Sequence, residues 1–149
     1  MKKQFIILFA LLIVSGIISA QTPAPEKTTL FERLGGTTGI TAIVDDVIEA
    51  HMNNPEINAR FKPYLDEPKR LAKIREHTIE FFSAGSGGPV EYKGRDMPAT
   101  HKGMNISAAE YMYVIDDIMG VLEKHKIDVE SKKDVLAILW SLKETIITK

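Results

Sequence analysis

IREHTIEFFSAGSGGPVEYKGRDMPATHKGMNI runs from Ile74 to Ile106. Its first part continues a helical spacing that begins at Leu71: Leu71, Ile74, Thr78, Phe81 and Phe82 recur on one side, and His77 shares that side, three residues after Ile74 and four before Phe81. The helix breaks at Gly85, Gly87, Gly88 and Pro89, a polar loop follows, and a second histidine, His101, stands just ahead of a new helix start. Two histidines on separate elements, joined by a glycine-rich crossover, can face opposite sides of a flat cofactor.

Downstream, Ser107-Ala108-Ala109-Glu110 forms a capping box, in which serine and glutamate three apart satisfy the free amides of a helix start. The helix it opens carries Tyr111, Val114, Ile115, Ile118, Met119 and Leu122 as one stripe. A last helix, Ser131 to Ile147, has Val135, Ile138, Leu139, Leu142 and Ile146 as its apolar set, broadened by Leu136 and Trp140. Upstream, Thr29 and Glu32 form another capping box, and Gly35-Gly36 stops that short helix. Thr37 or Thr38 can cap the next one, where Ile40, Ile43, Val44, Val47 and Ile48 face inward and Asp45, Asp46 and Glu49 outward, as far as Asn53-Asn54-Pro55. Residues 56–65 read as an irregular bridge containing Phe61, after which Asp66 offers a cap and Pro68 fits the first turn. No run has period-two alternation. The pattern predicts an all-α domain over 29–149, with four substantial helices packed as pairs.

The amino-terminal residues have a different character. Lys2 and Lys3 precede an apolar run, Phe5 to Ile18, that ends in Ser19-Ala20, the layout of a secretory signal peptide cleaved after Ala20. An uncleaved anchor is the alternative, since the run is nearly long enough to span a bilayer. Residues 21–28, with Pro23 and Pro25, read as a linker. Export, to the periplasm in a Gram-negative cell, is the expected destination, with no stable membrane span once the leader is removed. Loss of the two lysines takes the formal charge from −1 to −3, and no basic block of the kind that follows phosphates is present, which argues against nucleic acid as a partner. The chain of 149 residues has no cysteine, excluding disulfides, thiolate metal sites and thioether-linked haem.

His101 is the principal candidate ligand. Imidazole is the commonest protein ligand of haem iron, and a histidine near a helix end can bind through one nitrogen while a carbonyl holds the other. Met104, Ile106, Val114 and Ile118 supply an apolar wall beside it. His77 is the second candidate, with few fixed polar neighbours apart from Thr78. His51, near a helix end, and His125, in the charged run Glu123-Lys124-His125-Lys126, are assigned to solvent, as are the Asp45-Asp46 and Asp116-Asp117 pairs. Gly85-Ser86-Gly87-Gly88 follows a helix rather than a strand, so it lacks the context of a phosphate loop, and no hydrolase or calcium-loop motif occurs.

Taken in order, several stretches resemble the truncated haemoglobins of the first group. They are Leu30-Phe31-Glu32-Arg33-Leu34-Gly35-Gly36, Phe61, Glu80-Phe81-Phe82, Gly87-Gly88-Pro89, Tyr92-Lys93-Gly94-Arg95-Asp96-Met97 and His101-Lys102-Gly103-Met104-Asn105-Ile106. The resemblance covers Leu30 to Ile147 and implies a two-over-two helical sandwich around haem b. It makes His101 the proximal iron ligand and Phe61 the ring against the haem plane. Arg95, in the segment with Tyr92 and Met97, becomes a partner for a haem propionate. With these, Ile74, His77, Thr78, Phe81, Met104, Ile106 and Val114 make up the expected cofactor site. The distal side departs from the pattern: Ile48 stands where most members have tyrosine, and Thr78 where many have glutamine, with Ile74 beside it. Those side chains normally donate hydrogen bonds to the bound gas. His77 matches a position where some cyanobacterial members carry a second axial histidine, displaceable by an external ligand.

The expected function is therefore reversible binding of a diatomic gas (oxygen, nitric oxide or carbon monoxide), with oxygen carriage ahead of enzymatic turnover. An unidentified reductant would keep the iron ferrous. The competing expectations are an exported haem redox protein, for electron transfer or nitric oxide and peroxide chemistry, a haem-based sensor, and a helical domain without cofactor.

Overall fold

The computed structural model describes residues 28–149. The expected leader, and the linker as far as residue 27, lie outside the described residues.

Among the described residues seven α-helices follow one another: α1 (Leu30–Arg33), α2 (Gly36–Asn53), α3 (Asn58–Phe61), α4 (Pro68–Gly85), α5 (Met97–His101), α6 (Ala108–Lys124) and α7 (Val129–Ile146), with a 3-10 turn (Lys62–Asp66) between α3 and α4. There is no strand among the described residues. The long helices pack as two pairs: α2 lies against both α4 and α6, and α6 against α7, while α5 rests on α7. At their centre, Ile40, Ile43, Val44 and Val47 of α2 meet Ile115, Ile118 and Leu122 of α6 and Val135, Leu139 and Ile146 of α7. Each such side chain contributes roughly 1.5–3 kcal/mol by leaving water. The all-α expectation and its paired helices hold.

Both capping boxes form. Thr29 Oγ1 accepts from the Glu32 amide at 3.2 Å while Glu32 returns the bond to the Thr29 amide at 2.9 Å. Ser107 and Glu110 do the same at 3.2 and 2.9 Å. The Ser107 amide, then the Ser107 hydroxyl at 2.8 Å, then Arg60 donate to the Glu110 carboxylate and hold it down at about 2.

Four boundaries differ from expectation. The cap of α2 is Gly35, not Thr37 or Thr38: Gly35 and Gly36 both take positive φ, 87° and 62°, so α2 starts without a free turn in which a threonine could serve. The chain folds back so tightly there that a Cβ on Gly39 would lie 2.1 Å from the Leu34 carbonyl oxygen. Asp66 ends the 3-10 turn, and Glu67 occupies the cap position before Pro68. Asp128 caps α7 by accepting from Ser131, so that helix starts two residues before Ser131. The fourth difference is α5 itself, capped by Asp96, where a loop was expected. In α7, Trp140 and Leu136 do not widen the packed face: they are 52% and 37% exposed.

Two further corrections concern charge. Asp46 is bonded to His125 Nε2 at 2.6 Å and to Lys124 Nζ at 3.0 Å, so neither it nor His125 belongs simply to solvent. Its carboxyl titrates below the usual carboxylate range because of Lys124 first and His125 second. Asp45, exposed as expected, forms a two-pronged pair with Arg75 of α4 at 2.5 and 2.8 Å.

Candidate haem-binding site

Between α4 on one side and α5 with its following loop on the other lies a cavity of about 710 Å³, inside the roughly 300–1,000 Å³ range of ligand sites. Phe61, Ile74, His77, Thr78, Phe81, Arg95, Met97, His101, Met104, Ile106 and Val114 all line it, so the structure brings the expected set to one place.

On the proximal side, Asp96 opens α5 by accepting from the Ala99 amide at 2.8 Å, and Pro98 sits in the first turn, where its missing amide costs nothing. The helix is one turn long and presents His101 as its last residue. His101 Nδ1 lies 2.9 Å from the Met97 carbonyl oxygen. A carbonyl only accepts, so Nδ1 carries the proton and donates, leaving the Nε2 lone pair bare.

On the distal side, positions i, i+3, i+4 and i+7 of α4 place Ile74, His77, Thr78 and Phe81 on the wall. The Thr78 hydroxyl donates to the Ile74 carbonyl at 2.8 Å, so its proton is spent within the helix. Thr78 is therefore not the polar partner of His77. That partner is Glu80, whose Oε2 lies 3.1 Å from His77 Nδ1 and also accepts from the Lys93 amide at 3.2 Å. The Lys93 bond, then the His77 contact, hold the Glu80 carboxyl below its usual range. An ionised carboxylate only accepts, so the neutral His77 ring, like that of His101, has its proton on Nδ1 and a bare Nε2. Tyr92 packs edge-on against both His77 and Phe81, with ring centroids 6.0 and 5.5 Å apart, and its hydroxyl donates to the Arg95 carbonyl at 2.8 Å. Ile48 lines the cavity as well.

The site fits haem on its own chemistry. It combines apolar walls, two imidazoles held in the tautomer that iron requires, and exposed cations, Lys93, Arg95 and Lys102, on the lining. No group of three histidine or carboxylate side chains comes close enough to hold a bare metal ion among the described residues.

The residue missed is His51. Rather than facing solvent it is 6% exposed, lines the cavity, stacks on Phe61 with centroids 4.8 Å apart, and donates from Nδ1 to Asp117 Oδ2 at 2.8 Å. Asn54 holds the other oxygen of Asp117 at 2.9 Å, so Asp117 is not a solvated face either. Burial lowers the His51 pKa, with Asp117 opposing. The folded chain thus prefers His51 neutral. Its contribution to stability is complete above the ordinary histidine value and declines as pH falls from there toward the lower folded value, because the unfolded chain binds the proton more readily. Urea unfolding at pH 7 and pH 5 checks this: wild type should lose stability at pH 5 more than His51→Phe does. At pH 7 the variant should be weaker by about 1.5–3 kcal/mol, the value of a hydrogen bond to a charged group.

Arg60 ties the corner after α2 to the proximal loop. Its Nε donates to Glu110 Oε1 at 2.8 Å, Nη1 to the Met104 carbonyl at 2.6 Å and Nη2 to the Asn105 carbonyl at 3.3 Å. The next carbonyl, Ile106, accepts from the amides of Thr148 and Lys149 at 3.0 and 3.2 Å.

The fold matches that of solved truncated hemoglobins. The Fe(III) form from Tetrahymena pyriformis superimposes with a TM-score of 0.74 at 20% identity, covering 82% of this chain and 100% of that one. The 2/2 hemoglobin of Synechococcus gives 0.71 at 16% identity, covering 82% and 100%. In sequence the chain is similar to a group 1 truncated hemoglobin of Chlamydomonas moewusii, 26% identical over 135 residues, which are 87% of this chain and 75% of the relative. It is also similar to one from Synechocystis, 28% identical over 115 residues, 74% of this chain and 89% of the relative. Residues 29–148 match the family described as bacterial-like globin, whose members generally bind haem and diatomic gases, and the chain belongs to that family.

Proposed function

We propose that this chain binds haem b without a covalent link, with His101 Nε2 on the iron, and reversibly takes up a diatomic gas, oxygen foremost. His77 Nε2 would be a second, displaceable ligand from the α4 side. One observation carries the reading: two imidazoles on the α4 and α5 sides of a single cavity, each with Nδ1 anchored and Nε2 bare in the neutral ring. When bound, haem supplies the iron that takes the gas. The chain's part is to fix both rings, to exclude water with Phe61, Ile74, Phe81, Met97, Met104, Ile106 and Val114, and to meet a propionate with Arg95.

A second reading, an exported haem redox protein, has its own support on the distal wall. Ile48 and Ile74 have no donor, and the Thr78 proton is already given to Ile74. A bound gas would find little polar stabilisation there, whereas two-histidine ligation needs no new ligand in either oxidation state. The lysines and apolar run at residues 2–20 support export, where the reductant would have to be an extracytoplasmic donor. No helix among the described residues is long and apolar enough to cross a membrane.

The absorption spectrum of the haem-reconstituted chain, ferric and then dithionite-reduced, tests the assignment. Low-spin spectra in both states are expected, and His77→Ala should convert them to high-spin. A ferric spectrum unchanged in His77→Ala would remove His77 from the iron, and absence of haem uptake would end the globin function.

A further inference from the structure

We propose that Glu80 decides which chemistry His77 offers to the cavity: an electron-pair donor for iron rather than a hydrogen-bond donor for a bound gas. The inference rests on the reading of His77 as the displaceable ligand, but its geometric basis is independent of iron.

Glu80 lies three residues after His77 on α4, which brings the two side chains together at 3.1 Å. The carboxylate is only 14% exposed, and its Oε2 already accepts from the Lys93 amide, so it is fixed from two directions: by its own helix and by the segment after the glycine break. An acceptor fixed against Nδ1 leaves one neutral tautomer for the ring, with the proton on Nδ1 and a lone pair on Nε2. A ring in that state can bind a metal. It cannot donate a hydrogen bond from Nε2. With Thr78 committed to Ile74, Glu80 thereby removes the one remaining imidazole donor on α4 from the service of a bound gas.

The substitution that reverses the choice is Glu80→Leu. Lys93 and His77 share one carboxylate oxygen, Oε2, so an amide oxygen in its place could go on accepting from both, whereas leucine removes the acceptor with little change in side-chain size. The ring proton is then free to sit on Nε2. Two readouts follow. In ring-nitrogen NMR of the ¹⁵N-labelled full chain, above the pH at which imidazole titrates, wild-type His77 should carry its proton on Nδ1 and the Leu variant on Nε2. The diamagnetic ferrous carbon monoxide form suits this, or the chain alone if it takes no haem. In the haem-loaded chain the Leu variant should lose low-spin character in the ferric spectrum and release oxygen about tenfold more slowly, the scale of one added hydrogen bond to a polarised ligand.

A wild-type ring protonated on Nε2, or identical tautomers in the two proteins, overturns the proposal whatever the iron does. A shift of tautomer with unchanged spectrum and oxygen release overturns it too, since Glu80 would then set the proton without setting the chemistry. Failure of the two-histidine reading is seen separately, in wild type against His77→Ala, before Glu80 is touched.

Discussion

His101→Ala yields a chain of unchanged helix content that no longer retains haem after gel filtration. The loss is large because, in the proposed function, the residue would supply the bond to iron itself, whereas removing a supporting hydrogen-bond partner of a metal ligand typically costs only about 10–100-fold in affinity. The fold itself should not suffer. His101 is half-buried, its side chain bonds the Met97 carbonyl of its own turn and no other group among the described residues, and α5 keeps its Asp96 cap. Imidazole added to the solution should restore a low-spin spectrum by entering the space the ring leaves, which a merely unfolded variant could not do. An unaltered spectrum in His101→Ala would count against the proximal assignment, and lost helicity would count against the claim that the ring is dispensable for folding.

Gly39→Ala is the second large effect, and it falls on stability rather than on the cofactor. The added methyl would sit 2.1 Å from a backbone oxygen, that of Leu34, and backbone cannot turn aside as a flexible side chain can. Leu34 is 2% exposed and wedged in the core, and the Gly39 amide is committed to the Gly35 carbonyl at 3.1 Å, so neither side of the contact is free to slide. Overpacking of this kind costs about 3 kcal/mol, which corresponds to a fall in Tm on the order of 10 °C for a domain of this size. Gly85→Ala is the control. It also lies in a helix, but a Cβ there meets nothing within 4 Å, so thermal unfolding should leave it at or slightly above wild type.

The long helices were readable because each buries one stripe, and a stripe repeats every three or four residues regardless of what it packs against. Both capping boxes were readable because their partners are three residues apart. The proximal helix was not. Five residues are too few for a period, and Pro98 beside the glycine-bearing segments reads as loop until Asp96 is seen to cap it. His51 was misjudged for a different reason: its partner Asp117 is 66 residues away, and nothing adjacent to either one announces the other. Asp46 and His125, 79 residues apart, share that cause. Glu80, by contrast, lies at i+3 of His77, a spacing that places the two side chains together on one helix without any help from the fold. Ligand candidates are visible locally, then, while the groups that orient them often come from another helix.

Three successive carbonyls after His101 are each held by a distant part of the chain: Met104 and Asn105 by Arg60, and Ile106 by the last two residues. A surface loop normally opens on its own, at little cost, many times for each global unfolding. This one must first release both tethers. To let solvent behind it, Arg60 of α3 and the amides of Thr148 and Lys149 have to let go, so its opening is coupled to segments more than forty residues to either side. The stretch that carries the proposed iron ligand is thereby moored, on its far side, to parts of the chain remote from it in sequence, and amide exchange at 104–106 should be slower than in an untethered loop.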